Sequence, residues 1–147
     1  MASGKKAAGV RDQYEAYPYP PRDPADEATR LITGSPSDIV EIEHYVCGRK
    51  LTEDRLYRVL VAGGGTGDAT IMLASQLAAR GIAAEIIYLD LSSASLDIAR
   101  ARAAARRLEN ITFIQASLYE LPERDLGKFD YIDCCGVLHH LPDPVAG

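Results

Sequence analysis

Two groups of residues in this 147-residue sequence have the types and spacing to do chemistry. The first is Gly63-Gly64-Gly65-Thr66-Gly67, directly after the apolar run Val59-Leu60-Val61-Ala62. Without Cβ atoms, such a turn takes positive φ readily and lets a ligand lie against the backbone. A helix that opens there presents free N–H groups, which suit a carboxylate. The second is Asp90, which ends the run Glu85-Ile86-Ile87-Tyr88-Leu89. It follows the glycines by about the 20 residues at which an acid reaches a ribose diol. A dinucleotide fold asks for G-x-G-x-x-G. Here the glycines fall at 63, 65 and 67, and position 68 is aspartate, so the pyrophosphate reading is weakened.

The elements that must hold these residues alternate from residue 57 onward. Arg58 to Ala62 reads as a buried strand. A helix is expected over Asp68 to Arg80, with Leu73, Ala74 and Leu77 on one face and Gly81 closing it. Glu85 to Leu89 is the second strand. Ser92 or Ser93 caps a helix running to about Leu108, with Leu96, Ala99 and Ala103 inward. Ile111 to Ile114 is the third strand, and Phe129 to Cys135 the fourth. Strands recurring with helices between them mean βαβ units, an α/β class and a doubly wound parallel sheet. Right-handed crossovers place helices on both faces.

Upstream, residues 1–35 form a Pro- and Tyr-rich arm, and residues 36–147 form the domain. The stretch Tyr14-Glu15-Ala16-Tyr17-Pro18-Tyr19-Pro20-Pro21 is expected to be extended, because each proline restrains itself and its predecessor. Ser35-Pro36-Ser37-Asp38 starts a helix with Ile39, Ile42 and Val46 on one face and Gly48 as its stop.

Taken in order, Gly63 to Gly67, Tyr88-Leu89-Asp90-Leu91-Ser92, Phe129-Asp130-Tyr131-Ile132 and Val137-Leu138-His139-His140-Leu141-Pro142-Asp143-Pro144 resemble successive motifs of the class I S-adenosylmethionine-dependent methyltransferases. The resemblance covers about residues 57–144. It implies a Rossmann-like methyltransferase fold and S-adenosylmethionine as cofactor. It also implies a cofactor site made of Ala62, Gly63, Gly65, Gly67, Asp90, Leu91, Ser117, Leu118 and Cys134. In that site the glycine turn packs on the methionyl part, Asp90 holds the ribose, and Ala116-Ser117-Leu118 lies beside the adenine. Further strands would complete the family's sheet. The expectation is therefore a chain incomplete at its C-terminus, with an exposed edge on strand four that favours self-association.

Two departures from the family pattern stand out. Many members have an acid two residues before the first motif glycine, where this chain has Val61. Any contact that the acid supports must come from elsewhere. Many also have an acid after strand three, where Ser117 stands. Its hydroxyl can accept a bond, without charge assistance.

Other candidates are less tied to one role. His139 and His140 are candidate catalytic residues, as a base or a polar wall, or else pack within their loop. Cys134 and Cys135 read as small buried residues lining the cofactor pocket rather than as nucleophiles. Tyr14, Tyr17 and Tyr19 either fold over the cofactor or pack as part of the arm. Arg100, Arg102, Arg106 and Arg107 read as a solvated helix face.

Composition bounds the function. The sequence is 47% hydrophobic and 25% charged, with net charge -5 and pI near 5.2. That argues against general electrostatic binding to nucleic acid or anionic lipid. No apolar run reaches the roughly 18 residues of a membrane span. Three cysteines without metal spacing fit a reducing cytoplasm, and no metal is expected. The methyl acceptor is open between a small molecule, a protein and RNA. Rival functions are a nicotinamide-dependent oxidoreductase and a non-catalytic cofactor- or partner-binding module.

Overall fold

The computed structural model describes residues 9 and 11–147. Four parallel strands form one sheet: β1 (Tyr57–Ala62), β2 (Ala84–Asp90), β3 (Ile111–Gln115) and β4 (Tyr131–Asp133), in the order β3-β2-β1-β4. Helix α1 covers residues 11–16, α2 is Ile39–Glu41, α3 is Asp68–Ala79 and α4 is Ser93–Ala105.

The chain steps outward from β1 to β2 to β3, then returns to pair β4 with the other side of β1. Right-handed crossovers therefore put α3 and α4 on one face and the β3-to-β4 connection on the other. On the first face Val59, Val61 and Ile86 pack against Leu73, Ala74 and Leu77 of α3 and Ile39 of α2. Tyr88 packs on Leu96 and Ala99 of α4. On the second face Leu60, Ala62 and Ile87 are covered by Leu118, Leu121, Leu126 and Phe129. The doubly wound parallel sheet is present, but the second face carries a 3-10 segment (Leu118–Arg124) where a helix was expected. Pro122 lies inside that segment, and a proline removes the N–H that an α-helix would use.

Four local expectations need correction. Residues 11–16 are helical, and the irregular arm starts only at Tyr17. The prolines at 18, 20 and 21 restrain residues from Tyr17 onward and leave Tyr14 to Ala16 free to coil. The helix capped by Asp38 widens into a π-helix over Ile42–Cys47 before its left-handed end at Gly48. The extra residue per turn rotates Val46 out to 53% exposure and brings Cys47 against the core. Strand four is only three residues long, and Ile132 on its second face is 57% exposed. Arg102 lies buried rather than on a solvated face.

Arg102 is the centre of the arm's attachment. Its Nε donates to Glu27 Oε1 at 2.6 Å, and its Nη1 donates to Asp68 Oδ1 at 2.7 Å and to the Thr66 carbonyl at 2.9 Å. Arg106 reaches the other Glu27 oxygen, and Arg22 forms a bidentate pair with Asp68 at 2.9 and 2.7 Å. The arm is thus bolted to α3 and α4 by carboxylates that each meet two guanidinium groups. Arg100 and Arg107 keep the surface role expected of them; Arg100 makes a long contact to Asp97 at 3.7 Å and stacks on Phe113.

Candidate cofactor and methyl-transfer site

The order β2-β1-β4 makes the gap above β1 a topological switch point, where the two crossovers diverge and leave a crevice. A cavity of about 620 Å³ opens there. The glycine turn forms its floor. Gly63, Gly65 and Gly67 have φ of 78°, 54° and 99°. A Cβ on Gly63 would meet Val137 at 2.4 Å, and one on Gly64 would meet the Tyr88 ring at 2.3 Å. The turn is therefore held by its neighbours as well as by its own freedom. The Tyr88 hydroxyl donates to the Gly65 carbonyl from below.

Asp90 stands at the C-terminal end of β2, on the cavity wall. Its Oδ2 accepts from the Gly65 amide at 2.8 Å and its Oδ1 from the Ser92 amide at 2.9 Å. Each oxygen keeps accepting capacity, which suits a diol. Burial pushes the Asp90 carboxyl above the usual range, helped by the charge of Glu15 and opposed by the backbone N–H groups. The last turn of the site is the start of α3, where Gly67 is the N-cap and gives no side-chain hydrogen bond. Asp68 and Ala69 of that first turn line the cavity.

Across the cavity, Ala116, Ser117 and Leu118 follow β3 and line the wall together. The Ser117 hydroxyl accepts from the Tyr119 amide and takes part in a capping box with Glu120, so much of its capacity is used locally. His139 and His140 lie in the 3-10 turn Leu138–His140, on the rim. Their ring centroids lie 3.9 Å apart with the planes tilted by 43°, and Tyr14 approaches His140 Nε2 at 3.2 Å with its hydroxyl.

Among the site residues expected from the sequence, Gly63, Gly65, Asp90, Leu91, Ser117, Leu118, His139 and His140 are brought to one cavity. Three are not on its wall. Ala62 is buried with the second core cluster. Gly67 faces α4, where a Cβ would meet Ala99 at 2.9 Å, so it serves close helix packing. Cys134 packs on the second cluster, and burial raises its thiol, while its exposed neighbour Cys135 lines the cavity instead. Alternation along an extended chain sends adjacent residues to opposite sides, so both cysteines could not line it.

Of the two roles that the sequence leaves open for the arm tyrosines, two residues take the cavity-lining one, while the Glu15 anchor and Asp133 have no signal in the sequence. Tyr14 and Tyr19 line the cavity, whereas Tyr17 is 77% exposed. Glu15 anchors α1 by accepting from the Ser93 and Ala94 amides at the start of α4. That is a favourable place for a carboxylate, at a helix N-terminus. No periodic signal announces such a contact. Asp133, which is buried at the end of β4, also lies on the cavity wall.

The residues present fit S-adenosylmethionine. The turn Gly63–Gly65 presents bare backbone to the cavity and has no space for Cβ atoms between its neighbours, and the half-buried Asp90 carboxylate is on the cavity wall. Among the described residues no helix is long and apolar enough to cross a membrane, and no group of three His, Cys, Asp or Glu is placed to hold a metal ion.

Comparisons with known proteins agree with this geometry. The sequence profile of the family described as "Methyltransferase domain" matches residues 60–147. A curated protein of Synechococcus, described as uncharacterised, is 36% identical over 140 residues, which is 91% of this chain and 31% of that protein. The ubiquinone biosynthesis O-methyltransferase of Acinetobacter baylyi is 33% identical over 89 residues, 60% of this chain and 35% of that enzyme. The chain thus spans about a third of the length of these curated relatives. The magnesium protoporphyrin IX methyltransferase of Synechocystis, solved with bound S-adenosylmethionine, superposes with a TM-score of 0.58 at 22% identity. That match covers 96% of this chain and 66% of that one, and it shows the shared fold. With the glycine turn, the acid on β2 and the family match in the same segment, this chain belongs to the class I S-adenosylmethionine-dependent methyltransferases.

Proposed function

We propose that this chain forms the cofactor-binding part of an enzyme that moves a methyl group from S-adenosylmethionine to a hydroxyl of a small-molecule acceptor. The observation that carries this reading is the cavity at the switch point, floored by Gly63–Gly65 and walled by Asp90. In the proposed site Gly63 and Gly65 lie against the methionyl part, Asp90 and Leu91 hold the ribose, and Ser117 and Leu118 flank the adenine.

The cofactor supplies an activated methyl on a sulfonium, so the protein's task is alignment, exclusion of water and removal of one proton. Tyr14 and Tyr19 of the arm cover the cavity, which supports water exclusion. A hydroxyl acceptor must lose its proton as it is methylated, and in this reading His140, on the rim, accepts it. Tyr14 holds the His140 ring through an edge contact and the 3.2 Å approach to Nε2. The name of the Acinetobacter relative, an O-methyltransferase, supports oxygen as the acceptor atom.

The test is product formation by the full-length protein with a panel of phenols, catechols and amines, followed as S-adenosylhomocysteine release. Turnover of hydroxyl acceptors is expected, with His140→Gln lowering kcat by about 10²-fold or more. Turnover of amines alone, or an unchanged kcat in His140→Gln, contradicts the assignment.

Two further parts of the reading concern setting and assembly. The three cysteines are free, which supports a reducing, cytoplasmic location. The outer edge of β4 has no strand partner among the described residues, and Ile132 is exposed beside it. That edge supports self-association of the 147-residue chain, and light scattering across a concentration series tests it.

A further inference from the structure

Asp133 is a buried acid to which the site described so far gives no role. It is 5% exposed, at the end of β4, on the wall of the cavity. Among the described residues it forms no ion pair. A buried carboxylate is ordinarily matched by a cation. Its Oδ2 accepts from the Ser37 hydroxyl at 2.6 Å. That hydroxyl has one proton, which goes to the carboxylate, so the Tyr131 hydroxyl at 3.0 Å must donate to Ser37.

Ser37 is itself unusual. It is 1% exposed and has φ of 79°, a left-handed conformation that L-residues other than glycine rarely take. Such a conformation persists only where the surroundings enforce it, and it tends to mark functional sites. Here it delivers one hydrogen bond to one carboxylate facing a ligand cavity.

The strand register adds a second line. Asp133 pairs with Val61 across β1 and β4, so the two side chains leave the same face of the sheet side by side. Val61 carries no charge, so on this face Asp133 is the acid of the pair. β2 and β4 flank β1, so Asp90 and Asp133 stand on opposite sides of the glycine turn, about 10 Å apart at two strand spacings. The first turn of α3, with its free N–H groups, lies between them.

We infer that Asp133, positioned by Ser37, binds the α-ammonium at the amino-acid end of the cofactor, while the start of α3 faces the carboxylate of that same end. The inference rests on the reading that this cavity takes S-adenosylmethionine. A diol at one end and an ammonium at the other is the charge pattern that two acids flanking the turn can read. Asp68, the other acid on the wall, is already matched by Arg22 and Arg102.

The experiment is calorimetric titration of the full-length protein with two ligands. S-adenosylhomocysteine carries the ammonium; 5′-methylthioadenosine has the same nucleoside end and lacks it. Asp133→Asn should weaken S-adenosylhomocysteine about 10- to 100-fold, the range for a charged hydrogen bond, and leave 5′-methylthioadenosine within about 2-fold. Asp90→Asn should weaken both. Retained 5′-methylthioadenosine binding also shows that Asp133→Asn is folded. If that variant does not fold, the exchange Val61→Asp with Asp133→Val decides the matter: it should keep the preference for S-adenosylhomocysteine. Unchanged S-adenosylhomocysteine affinity in Asp133→Asn, equal loss of both ligands, or loss of the preference in the exchange overturns the inference and leaves the cofactor site standing. Failure of the wild-type protein to bind either ligand overturns both.

Discussion

The molecule contains two clusters of buried and half-buried acids that differ in one respect. Around the arm, Glu27 meets Arg102 and Arg106, and Asp68 meets Arg22 and Arg102. Around the cavity, Asp90 meets only backbone amides and Asp133 only a hydroxyl. The first cluster closes its own electrostatics and holds the fold together. The second faces a space, and in the proposed reading its partner is brought by a ligand. Burial alone does not separate structural acids from binding acids; the partner does.

The comparison breaks most visibly at Arg102. Arg102→Ala leaves the buried Glu27 with Arg106 alone and the half-buried Asp68 with Arg22 alone, and should cost about 2–4 kcal/mol. Urea unfolding measures it, and a loss below about 1 kcal/mol would make the cluster ornamental. Arg102→Ala should also loosen the arm, seen as faster amide exchange at residues 11–30.

Asp90→Asn should act in the opposite way. It should weaken S-adenosylhomocysteine by about 1.5–3 kcal/mol and leave the melting temperature unchanged or higher, because the raised carboxyl is a charge the fold does not favour. The sign with pH follows. The raised pKa means the folded Asp90 takes up a proton at higher pH than a free aspartate at 3.8. A diol donates to the charged form, so affinity should fall as pH drops through that raised value. Asp90→Asn should flatten the profile, and an acid-independent affinity in the wild type would contradict the ribose assignment.

Glu43 sharpens the other side of the comparison. Burial would raise its carboxyl, but Lys50, the Leu51 amide and Arg80 outweigh that and lower it to about 2. A depressed acid stabilises the fold above its unfolded value of 4.5 and loses that contribution as pH falls toward 2. Glu43→Gln should cost about 1–2 kcal/mol at pH 7. It should also remove part of the acid-induced loss seen in melts between pH 4.5 and 2. The smallest expected effect is at Ser117. Ser117→Ala should lose about 0.5–1.5 kcal/mol of stability by losing a cap, with affinity for S-adenosylhomocysteine nearly unchanged. A large affinity loss there would place more of the adenine's recognition on Ser117 than its local bonds leave available.

What could be read from the sequence was whatever its neighbours encode. Strands β1 to β3, helices α3 and α4, the glycine turn and Asp90 follow from runs and periods of a few residues. The arm's attachment does not. Arg102 looks like any arginine on an alanine-rich helix until Glu27, 75 residues earlier, is beside it. Asp133 sits in a run that reads as a plain strand, and only its register with Val61 gives it meaning. Val46 was misplaced because a π-turn shifts the period without a sequence signature. Cys134 and Gly67 were assigned by motif position, and the geometry sends their space to packing.

The topology also sets an order of assembly. Asp90 closes on Gly65 over 25 residues, within one βαβ unit, whereas Asp133 closes on Ser37 over 96. The longer closure carries about 1 kcal/mol more loop entropy. During folding, the Asp90 half of the pocket can thus form while the Asp133 half is still open. On the proposed roles, a nascent chain with only β1 to β3 in place would hold a nucleoside without distinguishing its tail, and the docking of β4 would confer that selectivity.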